Sequence, residues 1–104
     1  LQVQEFIRAN YANAELSLSM IAEHIFLNPT YLSRLYKKET GSNYVEYLTQ
    51  YRMQEAKRLL SDSTLRINDV SAMVGYSNPQ YFCTLFKKCF HVSPMEYREK
   101  SASI

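Results

Sequence analysis

One stretch of this 104-residue chain comes twice. NPTYLSRLYKKE runs from Asn28 to Glu39, and NPQYFCTLFKKC runs from Asn78 to Cys89, fifty positions later. A solenoid needs about three or more stacked repeats, so two copies indicate a duplicated supersecondary unit instead. Each copy begins Asn-Pro. Asn is a good N-cap, and Pro suits the first helical position, where its missing N–H would be unpaired anyway. Leu32, Leu35 and Tyr36 in the first copy, and Phe82, Leu85 and Phe86 in the second, have the spacing of one buried helix face.

The surrounding sequence extends the pattern. Val3, Phe6, Ile7 and Tyr11 suggest a first helix. Ser17 can cap a short helix carrying Met20, Ile21, Ala22 and Ile25. The helix from Pro29 should stop near Gly41, a natural residue after a helix end. Asn43 and Glu46 have capping-box spacing and open a long helix to about Leu60, with Tyr44, Leu48, Met53, Ala56, Leu59 and Leu60 in helical register. Ser61 to Thr64 is turn-like. Then Ile67, Val70, Ser71 and Val74 answer Leu18, Ile21, Ala22 and Ile25. Gly75-Tyr76-Ser77 is one residue longer than Phe26-Leu27, and Ser93 to Glu96 repeats the capped start. The repeat thus sets off a first unit at 1–41 and a second unit at 62–104, with the long helix at 42–61 between them.

Composition narrows the class. With two glycines and three prolines, a turn-rich β-sandwich is disfavoured and an all-α fold favoured. No apolar run approaches the roughly 18 residues of a membrane span. On one helix, Cys83 and Cys89 would be about 120° apart and about 9 Å along the axis, too far to bridge. Free thiols in a reducing cytoplasm are expected. With His24 and His91 they make no zinc spacing, so no metal or other cofactor is expected. No glycine-rich phosphate loop, paired catalytic carboxylates or nucleophile motif supports an enzyme. The net charge of +2 says little, but its placement says more. Arg34, Lys37 and Lys38 fall in the first copy, and Lys87 and Lys88 in the second. One Lys-Lys pair is ordinarily a solvated face; two pairs at equivalent places ask for a shared use.

Each copy is a short helix, a tight turn and a helix of about three turns, the plan of a helix-turn-helix. Thr30, Ser33, Arg34 and Lys37 form one outward stripe of the first copy; Gln80, Cys83, Thr84 and Lys87 form that of the second. Arg34 has the fork that matches guanine O6 and N7, Gln80 suits adenine N6 and N7, and Thr30 and Ser33 can bond base edges. Cys83 and Thr84 are small, so the second stripe is the poorer reader. Lys37, Lys38, Lys87 and Lys88 suit phosphates. The alternative is that each stripe is merely the wet side of a helix, with Arg34 paired to a carboxylate. Stacking of single-stranded bases on tyrosine is a weaker rival, because Tyr31, Tyr36, Tyr76, Tyr81 and Tyr97 fall at packing or turn positions. A helical module that docks the transcription machinery is a further alternative.

From about residue 3 to 99, the chain resembles an AraC/XylS-type DNA-binding domain. LSLSMIAEHIFLNPTYLSRLYKKETG and INDVSAMVGYSNPQYFCTLFKKCFHVSPMEYR look like its two halves, and YVEYLTQYRMQEAKRLL like its linker helix. The details are most similar to YesN-type bacterial response regulators. The resemblance implies seven helices in two helix-turn-helix subdomains joined by the long linker helix. It implies recognition helices in successive major-groove segments of double-stranded DNA, with base contacts from Thr30, Ser33, Arg34, Gln80, Cys83 and Thr84. It also implies backbone contacts from the four lysines and a bracing role for Arg52. RNA polymerase is a possible second partner, no membrane is implied, and dimerisation would run through a domain outside this chain. Two positions depart from the family pattern. His91 stands where Gly is usual, and Thr84 where a long polar residue is common. The second departure points the second unit towards phosphate contact and shape readout.

Overall fold

The N-caps legible in the sequence each start a helix. The computed structural model describes residues 2–102, and across them the secondary structure is helical. Residues 1, 103 and 104, at the outer bounds of the two units, lie outside the described residues. Helix α1 spans Gln2–Asn10, α2 Leu18–His24, α3 Pro29–Thr40, α4 Tyr44–Leu60, α5 Ile67–Met73, α6 Pro79–Phe90 and α7 Pro94–Ala102. Ser17 Oγ accepts from the Met20 N–H at 3.3 Å, which caps α2. At Ser93–Glu96 both halves of the capping box close: Glu96 N–H donates to Ser93 Oγ, and Ser93 N–H to the Glu96 carboxylate, each at 3.1 Å. At Asn43–Glu46 the bond made is the one from the Glu46 N–H to Asn43 Oδ1, at 3.0 Å.

The two recognition-type helices end alike. Gly41 (φ 80°) and His91 (φ 66°) both adopt the left-handed conformation, and their N–H groups donate to Lys37 and Lys87 carbonyls at 2.8 and 2.7 Å. The turn expected of Gly at His91 is thus kept. His tolerates this region better than most residues, though less well than Gly.

The interior is two clusters. The first gathers Val3, Ile7, Leu16, Ile21, Ala22, Leu32, Tyr36 and Leu48; the second gathers Met53, Ala56, Leu60, Val70, Val74, Phe82 and Phe86. Burial of Phe82 and Phe86, both fully enclosed, contributes about 1.5–3 kcal/mol each. Helix α4 supplies both clusters, Leu48 to the first and Met53, Ala56 and Leu60 to the second. It is therefore a wall of each unit as well as the joint between them. The molecule is elongated, 47 × 23 × 21 Å.

Candidate nucleic-acid interface

The site starts from two capped helix beginnings. Asn28 Oδ1 accepts from the N–H groups of Thr30 (2.8 Å) and Tyr31 (3.3 Å). Asn78 Oδ1 accepts from Gln80 (2.9 Å) and Tyr81 (3.1 Å) in the same way. Each cap fixes the first turn of its helix, and so aims the side chains of that turn. Leu32 and Tyr36 pin α3 to the first core, and Phe82 and Phe86 pin α6 to the second. What faces away from these anchors is left to solvent.

On α3, Thr30, Ser33, Arg34, Lys37 and Lys38 are all exposed. On α6, Gln80, Thr84, Lys87 and Lys88 are exposed, while Cys83 is half-buried and packs against the second core. The ion pairs among the described residues, Arg58–Glu55 and Arg66–Asp69, lie elsewhere. Neither pair takes up Arg34 or the four lysines, whose exposed charges can meet an outside anion. Thr84 Oγ1 donates back to the Gln80 carbonyl at 3.1 Å, which leaves its methyl and lone pairs facing out. Burial pushes the Cys83 thiol up, which favours its protonated form. Cys83 and Cys89 are free thiols. Among the described residues no group of three or more His, Cys, Asp or Glu is placed to hold a metal ion.

The tyrosines divide differently from expectation. Tyr36 is buried, and Tyr76 and Tyr97 are half-buried, as their packing positions suggest. Tyr31 and Tyr81, also expected to pack, are instead 55% and 57% exposed. Each sits roughly 100° around its helix from the buried residue that follows it, just past the edge of the core face. Their equivalent places, fifty residues apart, flank both stripes with an aromatic ring. The signal that could have found them was in the duplication: both copies keep Tyr at this place.

The turns ahead of the two helices also correspond. Leu27 N–H donates to the Ala22 carbonyl, and Tyr76 N–H to that of Ser71, each at 2.9 Å. Phe26 thus matches Gly75, and Ser77 is the extra residue of the second turn. Ser71, where the first copy has Ala22, donates its hydroxyl to the Tyr76 carbonyl at 2.8 Å and ties the longer turn down.

A helix-turn-helix domain model matches residues 21–100 of the chain. The C-terminal domain of AraT, a response regulator from Geobacillus stearothermophilus, is 37% identical with a TM-score of 0.89, over 94% of this chain and 81% of that one. The C-terminal domain of the two-component response regulator yesN from Fusobacterium nucleatum is 35% identical with a TM-score of 0.87, over 92% and 93%. The arabinose operon regulatory protein of Escherichia coli is 32% identical over 94 residues, 90% of this chain and 32% of that protein. The chain spans 12% to 34% of the length of the curated relatives it matches.

Proposed function

Because the chain belongs to the AraC-type helix-turn-helix family, we propose that it is the sequence-specific double-stranded DNA-binding part of a bacterial transcription regulator. Helices α3 and α6 enter successive major-groove segments on one face of the duplex. The observation that carries this reading is the pair of capped helices whose outward stripes are largely exposed and basic. The 47 Å length of the molecule is sufficient to present two heads across one helical turn of DNA, roughly 34 Å.

Arg34 takes the guanine-reading role, with Thr30 and Ser33 beside it at base edges. Gln80 reads adenine, while Cys83 and Thr84 offer small apolar or weakly polar contacts. Lys37, Lys38, Lys87 and Lys88 neutralise phosphates. The domain does no chemistry of its own and works in the cytoplasm. Contact with RNA polymerase, and pairing of two copies through a further domain, belong to the same reading; the greater length of the relatives leaves room for such a domain.

Duplex affinity measured against salt tests this. The log–log slope should be on the order of −4 to −8, from counterion release. A flat response from folded protein contradicts DNA binding. Replacing Arg34 with Ala should weaken specific binding by about 1–3 kcal/mol and relax base preference in one half-site. Replacing Lys87 with Ala should weaken binding to every sequence alike and reduce the slope by about one. An equal loss on random DNA for the Arg34 variant makes that residue a phosphate contact.

A further inference from the structure

The two units meet through a small buried cluster that the base-reading stripes do not explain. Arg52, in the middle of α4, is 7% exposed. Its Nε donates to the Tyr11 carbonyl at 2.8 Å, and its Nη2 to the Asn13 carbonyl at 2.9 Å. Both acceptors lie in the connection after α1, within the first unit. The guanidinium carbon also lies 5.0 Å from the centre of the Tyr76 ring, in the turn of the second unit. Gly75, beside Tyr76, is pressed into the same place. A Cβ on it would come within 2.5 Å of the Tyr11 carbonyl oxygen and 2.8 Å of Arg52 Nε. Tyr76 in turn packs its ring on Tyr81 and Phe82 of α6, with centroids 5.9 and 6.0 Å away.

The cluster runs unbroken from the first unit to the second recognition helix. Otherwise the units share α4, which enters both cores. A helix packed separately at its two ends leaves bending and twist at its middle as the free coordinates. Arg52 sits at that middle. Its flat fork engages two carbonyls on one side and an aromatic face on the other, a combination Lys cannot reproduce. Tyr11 packs against both clusters and adds a second strut, its hydroxyl donating to Glu55 of α4 at 3.3 Å.

We propose that Arg52 is a positioning residue that sets the angle between the two reading heads, and so the half-site spacing the protein accepts. This rests on the DNA-binding reading above. Two linked heads gain affinity when the joint lets both engage at once, and lose that gain when geometry forbids it. A rigid joint therefore discriminates sharply between spacings, and a loose one does not. One added base pair moves and rotates the second half-site together, by about a tenth of a turn.

The test uses duplexes carrying both half-sites at the preferred spacing and at one or two base pairs either side, plus duplexes with one half-site scrambled. The intact chain should lose about tenfold in affinity per base pair of displacement, and R52M, which keeps the buried stem, should lose about threefold or less. Affinity of R52M for the single half-site should stay within about twofold of the parent. Arg52→Lys, which reaches one carbonyl, should fall between. An unchanged spacing profile in a variant with a parent-like cooperative melt overturns the proposal. So does an equal loss on single and paired half-sites, which makes Arg52 a support of one head alone. If R52M does not melt cooperatively, the Lys variant decides by the same two criteria.

A second measurement needs no DNA. Spin labels at positions 38 and 88, with both native cysteines replaced, should give one narrow distance distribution in the parent and a broad one in R52M. A narrow distribution in both overturns the clamp whatever the duplexes show. A narrow parent and broad variant, with no specific duplex binding by either, keeps the joint and sinks the DNA reading instead.

Discussion

Four of the described residues, Phe26, Gly41, Gly75 and His91, have a left-handed backbone, and they fill it differently. Gly75 has no alternative, because a Cβ there meets the Tyr11 carbonyl and the Arg52 guanidinium. His91 holds the end of α6 at φ 66°. Phe26, at φ 60°, is the matching turn residue of the first unit and is 92% exposed. A bulky side chain in this region is strained by about 1–2 kcal/mol, and Phe26 recovers little of that through packing. Phe26→Gly should therefore stabilise the fold by about 1 kcal/mol, read as a higher melting midpoint. A drop would mean that the exposed ring makes contacts of its own. Gly75→Ala should be destabilising by clearly more than this gain, since strain and a backbone clash combine. The residue scale is also where the sequence was most and least informative. The stripe through Thr30, Ser33, Arg34 and Lys37 was readable because 100° per residue separates it from Leu32 and Tyr36. Tyr31 and Tyr81 were misread because ring apolarity suggested core, while their angle puts them just outside it. Cys83 was assigned to the outward stripe and is shared with the core, since it lies at the stripe's edge.

At the scale of elements, capping carries much of the local order. Asn28 and Asn78 were legible as helix starts because Asn-Pro leaves the chain few other uses for both residues. The second capping box was legible too, and it has a measurable consequence. The Ser93 backbone N–H and side-chain hydroxyl hold the Glu96 carboxyl below its usual value, with Lys87 and Lys100 adding to the effect. Asp69 is lowered at the start of α5 by the Arg66 N–H and side chain. Asp62 is lowered by Thr64 in the loop before it. A carboxyl depressed by folding stabilises the fold above its unfolded pKa. That contribution is lost as pH falls from the ordinary carboxylate range through the lower folded value. The second unit should thus weaken on acidification below the ordinary carboxylate range. Glu96→Gln should flatten that acid limb and leave neutral-pH binding to DNA unchanged. An acid limb identical in both proteins would mean that the box does not couple to folding. Sequence periodicity showed α4 as one long helix, and the resemblance made it a linker, but neither showed it as a shared wall. Its apolar residues have one spacing throughout, and nothing in that spacing tells which of them belongs to which core. For Arg52 the resemblance implied bracing, but its partners, the loop at Tyr11 and the turn at Gly75, appear only in the folded chain.

At the scale of the whole molecule, duplication explains both likeness and difference. Scaffold positions recur in both copies: Asn-Pro, the following Tyr, the buried pairs and Lys-Lys. The outward stripe does not recur, since Thr30, Ser33 and Arg34 become Gln80, Cys83 and Thr84. Two equal scaffolds with unequal faces suit the proposed asymmetric site, in which Arg34 would read a strong half and phosphates and DNA shape would hold a weaker one. The repeat alone suggested two units, and the interior forms two clusters, one around each copy. The mutual angle of the units was not legible in the repeat, because it depends on contacts between residues some forty positions apart, from Tyr11 and Asn13 to Arg52. The most direct measurement of the two-headed reading is selection of bound sequences from a pool of random duplexes. Two enriched clusters should emerge with centres about 10 base pairs apart at fixed spacing, the one facing α3 better defined than the one facing α6. A single cluster, or two clusters at freely varying separation, would contradict two heads held for consecutive turns of one duplex.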